Sequence, residues 1–223
     1  MREGASFNNF LDAIDGTFCT YEGGDDPTQD GIYPDPYGGG YEGPEDCGTA
    51  KPTNVISTSY SYNEADLTPF YTARQCSEYA KLGLMGVTVL YSSGDYGVAG
   101  NGGYCLTANG EPCRHICGNE LISFVGSYSL NGTIFNPSFP GTCPYITSVG
   151  ATQVNPNSTV YEPEGACEQV IYSGGGFSNY FAMPDYQKTA VEYYLTNYYP
   201  QYPPNIWNST GMVSVARVGE DVN

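Results

Sequence analysis

The run Gly86-Val87-Thr88-Val89-Leu90-Tyr91-Ser92-Ser93-Gly94-Asp95-Tyr96-Gly97 constrains the fold of this chain more than any other stretch. A β-branched, apolar segment gives way to small residues, and a carboxylate stands at the tip. Upstream, Asn54 to Tyr60 reads as a buried strand. Glu64 to Leu84 reads as a helix, with Leu67, Phe70, Tyr71, Cys76, Tyr79, Ala80 and Leu84 on its apolar face. Asn63 is the predicted N-cap, and Gly83 or Gly86 the predicted stop. Strand, helix and strand within about 40 residues make a βαβ unit, hence a parallel sheet with a right-handed crossover. The fold class is α/β. Such sheets present reactive groups at the carboxyl ends of their strands, so Asp95 is the first candidate for chemistry. The competing reading is structural, because Gly-Asp is a common turn pair whose carboxylate caps the next backbone turn.

The remaining elements are shorter. Phe7, Phe10, Leu11 and Ile14 recur with helical spacing, predicting a helix over 7–14. Residues 20–52 read as a loop rich in Gly, Pro, Asp and Tyr. Pro144–Val149 and Glu168–Tyr172 are predicted strands. A helix is predicted from about Pro184 to Tyr198, with Pro184 in its first turn and Asp185 suited to its dipole.

Charge narrows the function classes. Lys and Arg total 7 against 24 Asp and Glu, a formal net charge of −17 that excludes a phosphate-backbone partner. So few cations leave few carboxylates salt-bridged, and protonation relieves self-repulsion, so the composition suits an acidic milieu. No apolar run reaches membrane-spanning length. The 8 cysteines are many for a reducing compartment. With the glycosylation sequons at Asn131, Asn157 and Asn208 they point to secretion. The N-terminus lacks the apolar segment of a signal peptide, so a fragment of a longer secreted protein is expected. The cysteine pairing stays open.

Three further features admit two readings each. Ser173-Gly174-Gly175-Gly176 offers bare backbone to an extended peptide, or simply turns the chain where φ is positive. Cys113-Arg114-His115-Ile116-Cys117 holds the single histidine between two cysteines, yet the fourth ligand of a zinc site is missing, so disulfide or unpaired cysteines are the better reading and no metal site is expected. The tyrosines 193, 194, 198, 199 and 202 form a sugar-stacking surface or, better, one packed helix face and its flank.

Three segments together resemble the sedolisin family, the serine-carboxyl peptidases that include fungal tripeptidyl-peptidases. They are Val55-Ile56-Ser57-Thr58-Ser59-Tyr60-Ser61; Gly86 to Gly97 with Ser93-Gly94-Asp95; and Phe135 to Pro140 through Cys143–Thr152 to Ser173–Phe181. The resemblance covers about residues 6–105 and 131–211. It implies a subtilisin-like α/β fold, with a parallel twisted sheet flanked by helices, and peptide-bond hydrolysis at acid pH by a Ser-Glu-Asp triad. A histidine base would be protonated at that pH, whereas a carboxylate still titrates. The aspartate that follows Ser-Gly in the family helps form the oxyanion hole. Here it matches Asp95, which when protonated would donate to the developing oxyanion. Ser59, Tyr60, Ser61, Ser93, Gly94, Ser173, Gly174, Gly175 and Gly176 would line the substrate cleft. Ser61 stands where the family usually has glycine.

The departures are as specific. No Gly-Thr-Ser occurs, so the nucleophile motif is missing, and no helix carries the Glu-x-x-x-Asp pair. The chain reads as a single incomplete catalytic domain over 1–223, truncated at both ends, with an insertion over 106–130 and an atypical tail over 212–223. A mis-spliced or truncated gene would explain these features together. As it stands the chain is expected to be catalytically incompetent, with a non-catalytic peptide-binding protein as the alternative. No cofactor is expected in this chain, while the resemblance implies calcium in the full-length domain. The expected partner is a peptide or protein substrate, and the expected state a monomer, secreted as part of its full-length parent.

Overall fold

The computed structural model describes residues 5–114 and 132–198. His115, Cys117, Asn131, Tyr199, Tyr202, Asn208, the 212–223 tail and most of the 106–130 insertion lie outside the described residues. Two compact units are present, the first within residues 1–56 and 66–89, the second within 57–65 and 90–223.

In the first unit, α1 (Ala5–Ile14) buries Phe7 and Leu11 while Phe10 stays at the surface. The predicted start of the next helix is corrected. Glu64–Asp66 forms a separate 3-10 turn, and α2 runs from Pro69 to Leu84. Its N-cap is Thr68, whose hydroxyl accepts the Tyr71 N–H at 3.2 Å, with Pro69 in the first turn where its missing N–H is harmless. Gly86, not Gly83, ends it. Gly86 takes φ 84°, its N–H reaches the Gly83 carbonyl at 3.0 Å, and Val87 N–H reaches the Leu82 carbonyl at 3.0 Å, the paired bonds of a Schellman motif. Tyr71, Cys76, Tyr79 and Leu82 are buried, but Phe70 and Leu84 of the predicted apolar face are exposed. The loop after α1 forms no helix or strand but closes on itself through the Cys19–Cys47 disulfide. Burial, with the carboxylates of Asp25, Glu45 and Asp30, pushes Asp12 on α1 up to about 8.

The strands are β1 (Val55–Thr58), β2 (Tyr62–Asn63), β3 (Thr88–Ser92), β4 (Tyr104–Leu106), β5 (Pro112–Arg114), β6 (Ser138–Phe139), β7 (Thr147–Val149), β8 (Thr152–Gln153) and β9 (Gly165–Ala166). Three of them form a sheet in the order β1-β3-β7, and β3 pairs with β7 in parallel, Tyr91 opposite Ser148. α2 lies between β1 and β3 in the chain, as the βαβ spacing predicts. The architecture is mixed α/β with parallel pairing. β1 is not the buried strand expected, because it is an outer strand of its sheet and Val55 is exposed. Glu168–Tyr172 is not a strand either. It contributes one parallel bridge, Tyr172 opposite Tyr96.

In the second unit Cys105, Phe135, Phe177 and Val191 form a buried cluster, with Val98, Ala99, Met183 and Leu195 packed against it. Val191 comes from α3 (Lys188–Asn197), which a 3-10 turn over Asp185–Gln187 precedes. The tyrosines of α3 and its C-cap do not pack inward. Tyr193, Tyr194 and Tyr198 are exposed, with Tyr194 stacked on Tyr198. β4 and β5 form an antiparallel hairpin that opens the 106–130 segment, and on its far side Leu106 N–H bonds the Ile134 carbonyl at 3.0 Å. Cys76, Cys105 and Cys143 are disulfide-bonded as well, and Cys167 is a free thiol.

Candidate active site

Strand β3 ends in Ser93-Gly94-Asp95-Tyr96-Gly97, and the second unit fixes this turn from two sides. Ser93 N–H donates to the Val149 carbonyl at 3.0 Å, extending the β7 pairing by one residue. Along the other side runs Tyr172–Gly175. Tyr172 N–H meets the Asp95 carbonyl (2.9 Å), Gly97 N–H the Tyr172 carbonyl (3.0 Å), Gly174 N–H the Gly94 carbonyl (2.8 Å), and Gly175 N–H the Gly97 carbonyl (2.9 Å). The backbones approach so closely that a Cβ on Gly174 would overlap the Ser93 carbonyl group. Gly94 adopts φ 104°, and a Cβ there would sit 2.6 Å from the Ser138 hydroxyl oxygen. Only glycine meets both demands. The backbone of Asp95 is therefore held while its side chain stays exposed.

This geometry narrows the role of the triple glycine. The N–H groups of Gly174 and Gly175 already bind within the chain. Ser173 N–H bonds the Cys167 carbonyl at 2.9 Å, and its hydroxyl accepts the Ala151 N–H at 2.9 Å. An incoming peptide could not pair with the N–H groups of residues 173–175.

Ser59 and Tyr60 are exposed, whereas Ser61 is buried and its carbonyl accepts the Asn101 side-chain N–H at 2.8 Å. Tyr60 and Tyr62 meet edge to face with ring centres 5.9 Å apart. β2 pairs antiparallel with β6, Asn63 opposite Ser138. Asn63 is thus a strand residue whose carboxamide oxygen accepts the Asn101 N–H, not a helix cap. A Cβ on Gly100 would overlap that oxygen, so the Asn63–Asn101 contact also requires a glycine.

Sequence reasoning missed the group that ties these segments together. Glu64, wholly buried, accepts the Ser178 hydroxyl and the Asn179 N–H, the latter at 2.6 Å. Its own N–H donates to the Pro137 carbonyl at 3.0 Å, and the adjacent Ala65 N–H reaches the Asn136 side-chain oxygen at 3.4 Å. Ser178 in turn accepts the N–H groups of Tyr180 (3.0 Å) and Phe181 (2.9 Å). Glu64 therefore links the segment after Ser59–Ser61 to the segment after Ser173–Gly176. Burial pushes its carboxyl up to about 7, against the opposing pull of the Ser178 and Asn179 bonds. An acidic residue opening a predicted helix reads as a dipole partner, and nothing in its local pattern signals burial. Of the predicted glycosylation sites, Asn157 is exposed at a turn with φ 63°.

No protein-family model matches the chain. It is 49% identical over 205 residues to aorsin of Aspergillus oryzae, an overlap of 88% of this chain and 28% of aorsin. It is 43% identical over 228 residues to the tripeptidyl-peptidase SED1 of Arthroderma otae, covering 94% of this chain and 31% of that protein. The tripeptidyl-peptidase sed1 of Aspergillus fumigatus is 43% identical over 196 residues, 88% of this chain and 27% of that one. The chain spans under a third of the length of each of these relatives. A solved structure, Pseudomonas sedolisin (serine-carboxyl proteinase) complexed with two molecules of pseudo-iodotyrostatin, overlaps 62% of this chain and 34% of that one. It does so at 21% identity and a TM-score of 0.41, too slight a likeness to argue from. The curated relatives set the chain in a class whose named members include peptidases. It belongs to the sedolisin family, the serine-carboxyl peptidases.

Proposed function

We propose that this chain carries the oxyanion-hole corner and part of the substrate cleft of a secreted, acid-acting serine-type peptidase. The observation that supports the reading best is the Ser93–Gly97 turn. Its backbone is bonded on both flanks, so an exposed carboxyl is offered from a fixed base. A preorganised donor of this kind stabilises charge in a transition state because it needs no rearrangement when the charge develops. In this reading Asp95 donates when protonated. Ser59, Tyr60, Ser61, Ser93, Gly94 and Ser173–Gly176 flank the peptide, and Asn157 carries a glycan. The Ser-Glu-Asp triad is supplied by sequence that this chain does not contain, so the chain binds peptide without hydrolysing it. The absence of Gly-Thr-Ser and, among the described residues, of any helix carrying a Glu-x-x-x-Asp pair also favours a second reading, a peptide-binding protein that never had the triad.

Peptide binding and hydrolysis assayed together at acid pH test both. Binding of an extended peptide without turnover is the expected result. Turnover by this chain would show that the triad assignment is wrong, and no binding would remove the cleft. Flanking genomic DNA that encodes the two missing motifs separates the peptidase reading from the binding protein.

A further inference from the structure

In the first compact unit, α1 and the loop after it bring together carboxylates that the peptidase reading does not use. Asp12 of α1 is wholly buried, and carboxylate oxygens of Asp12, Asp25 and Glu45 lie within 4.8 Å of one another. Asp30, also buried, adds its charge to theirs. The arrangement is fixed by backbone and cross-link. The Asp12 carbonyl accepts the Gly48 N–H at 2.8 Å, and the Ala13 carbonyl accepts the Ala50 N–H at 2.7 Å, which ties the strip after Glu45 to the last turn of α1. The Cys19–Cys47 disulfide closes the same loop, and Tyr71 of α2 donates its hydroxyl to Asp30. Two nearby cations are engaged elsewhere. Lys81 pairs with Asp15 and Glu78, and Arg74 lies over the Phe18 ring.

Acidic groups alone would not define a site, but a buried amide set among them, that of Asn8, leaves its oxygen without a partner. Gln75 of α2 is wholly buried, and neither its side-chain oxygen nor its nitrogen has a hydrogen-bond partner. It stands one helical turn after Tyr71, which holds Asp30, and one turn before Glu78, which shares Lys81 with Asp15. Gln75 therefore shares a helix face with Tyr71 and Glu78. Asn8 of α1 is equally buried. Its nitrogen reaches Asp12 at 3.1 Å and Asp25 at 2.7 Å, while its oxygen, like one oxygen of Asp12, has no partner. Buried polar atoms without partners call for an explanation in terms of a missing water or ion.

We propose that this cluster binds a hard divalent cation of the calcium class. Asp12, Asp25 and Glu45 supply carboxylate oxygens, and Asn8, its amide turned over so that the unpartnered oxygen replaces the nitrogen, an amide oxygen. An all-oxygen set of carboxylates and amides suits calcium, whereas zinc is usually held with nitrogen or sulfur. Cys19 and Cys47, which lie beside Glu45, are joined to each other and offer no thiolate. This site is separate from the calcium that the family resemblance implies for the full-length domain, and it replaces the expectation that this chain holds no metal.

The test uses the full chain at pH 7, with calcium added as its chloride or removed by a chelator. Equilibrium dialysis should find one calcium per chain with a Kd of roughly 0.1–1 mM, the range of extracellular calcium modules. Thermal melting should shift upward by several degrees in calcium, since a ligand of the folded state stabilises it. Asp25→Asn and Glu45→Gln, both on the loop and only partly buried, should each weaken binding at least tenfold and shrink the melting shift. Either variant suffices if the other fails to fold. Equal melting in calcium and chelator overturns the proposal, as does calcium binding that both variants leave unchanged. A rise in melting temperature caused by the variants themselves, with calcium making no difference, also overturns it, because the cluster would then be relieved by protons alone.

Discussion

The Glu64 carboxylate and the Ser178 hydroxyl are hydrogen-bonded across 114 residues of sequence, both in the interior. Their bond joins the chain after Ser59–Ser61 to the chain after Gly174–Gly176, so the two stretches expected to flank a peptide share one buried anchor. The pH consequence follows from Glu64, whose carboxyl is raised from 4.5 to about 7 by burial. The folded state then binds more protons than the unfolded state between these values. Stability is highest below about 4.5 and falls as pH rises towards 7, by up to roughly 3 kcal/mol for a shift of this size. Denaturant unfolding of Glu64→Gln isolates the effect from other raised carboxyls. The variant should cost about 1–2 kcal/mol at pH 4.5, where its amide nitrogen faces the Asn179 N–H, and less at pH 7, where no buried charge remains. Equal losses at both pH values would remove Glu64 as the titrating group.

The glycines allow a graded comparison. Gly174→Ala drives a Cβ into the Ser93 carbonyl and disturbs the 2.8 Å bond to Gly94, so a loss of about 3 kcal/mol is expected from backbone that cannot yield cheaply. Gly86→Ala meets open space and suffers only from its φ of 84°, which corresponds to about 1 kcal/mol. Denaturant midpoints for the pair check the ranking. Only the Gly174 variant should also weaken peptide binding, because only it moves the turn beneath Asp95.

Part of this was legible in the sequence because it is local. The spacing of Phe7, Leu11 and Ile14, the apolar run Thr88–Ser92 and the stop at Gly86 each follow from a few neighbouring residues. The start of α2 was misplaced because Asn63 is a good cap in isolation. Its carboxamide is taken by Asn101, 38 residues on, and Thr68-Pro69 caps the helix instead. The site was half legible for the same reason. Motif order exposed Asp95 and the triple glycine, but the closure of Gly174 on Gly94 and the burial of Glu64 depend on partners far along the chain. The acidic cluster was hidden in a loop whose composition looked merely polar.

Lys81 is expected to matter through Glu78 more than through Asp15. It lies 2.6 Å from Glu78, whose side chain is nearly buried, and 2.7 Å from the more exposed Asp15. Lys81→Met leaves Glu78 buried without its cation, and about 1–2 kcal/mol should be lost at pH 7, discounted because the lysine itself is half exposed. Burial already raises Glu78, so acid restores its neutral form. The loss should shrink as pH falls and Glu78 takes up its proton. A lysine-to-methionine penalty that stays constant as pH falls, read from unfolding curves, would mean that lost packing of the lysine stem dominates instead.

Asp95 gives the sharpest separation of folding from function. Its side chain is exposed, while its backbone carbonyl keeps the Tyr172 bond whatever the side chain. Asp95→Asn and Asp95→Ala should therefore change the stability of this chain by no more than about 0.5 kcal/mol. In a longer protein carrying this segment together with the missing Gly-Thr-Ser and Glu-x-x-x-Asp motifs, Asp95→Ala should lower kcat by about 10²–10³, the usual effect of removing one oxyanion donor. Asparagine keeps an N–H donor at this position, whereas alanine has none. The Asn variant should thus retain more activity than the Ala variant. Equal kcat for the parent and Asp95→Ala would return Asp95 to the role of a turn residue.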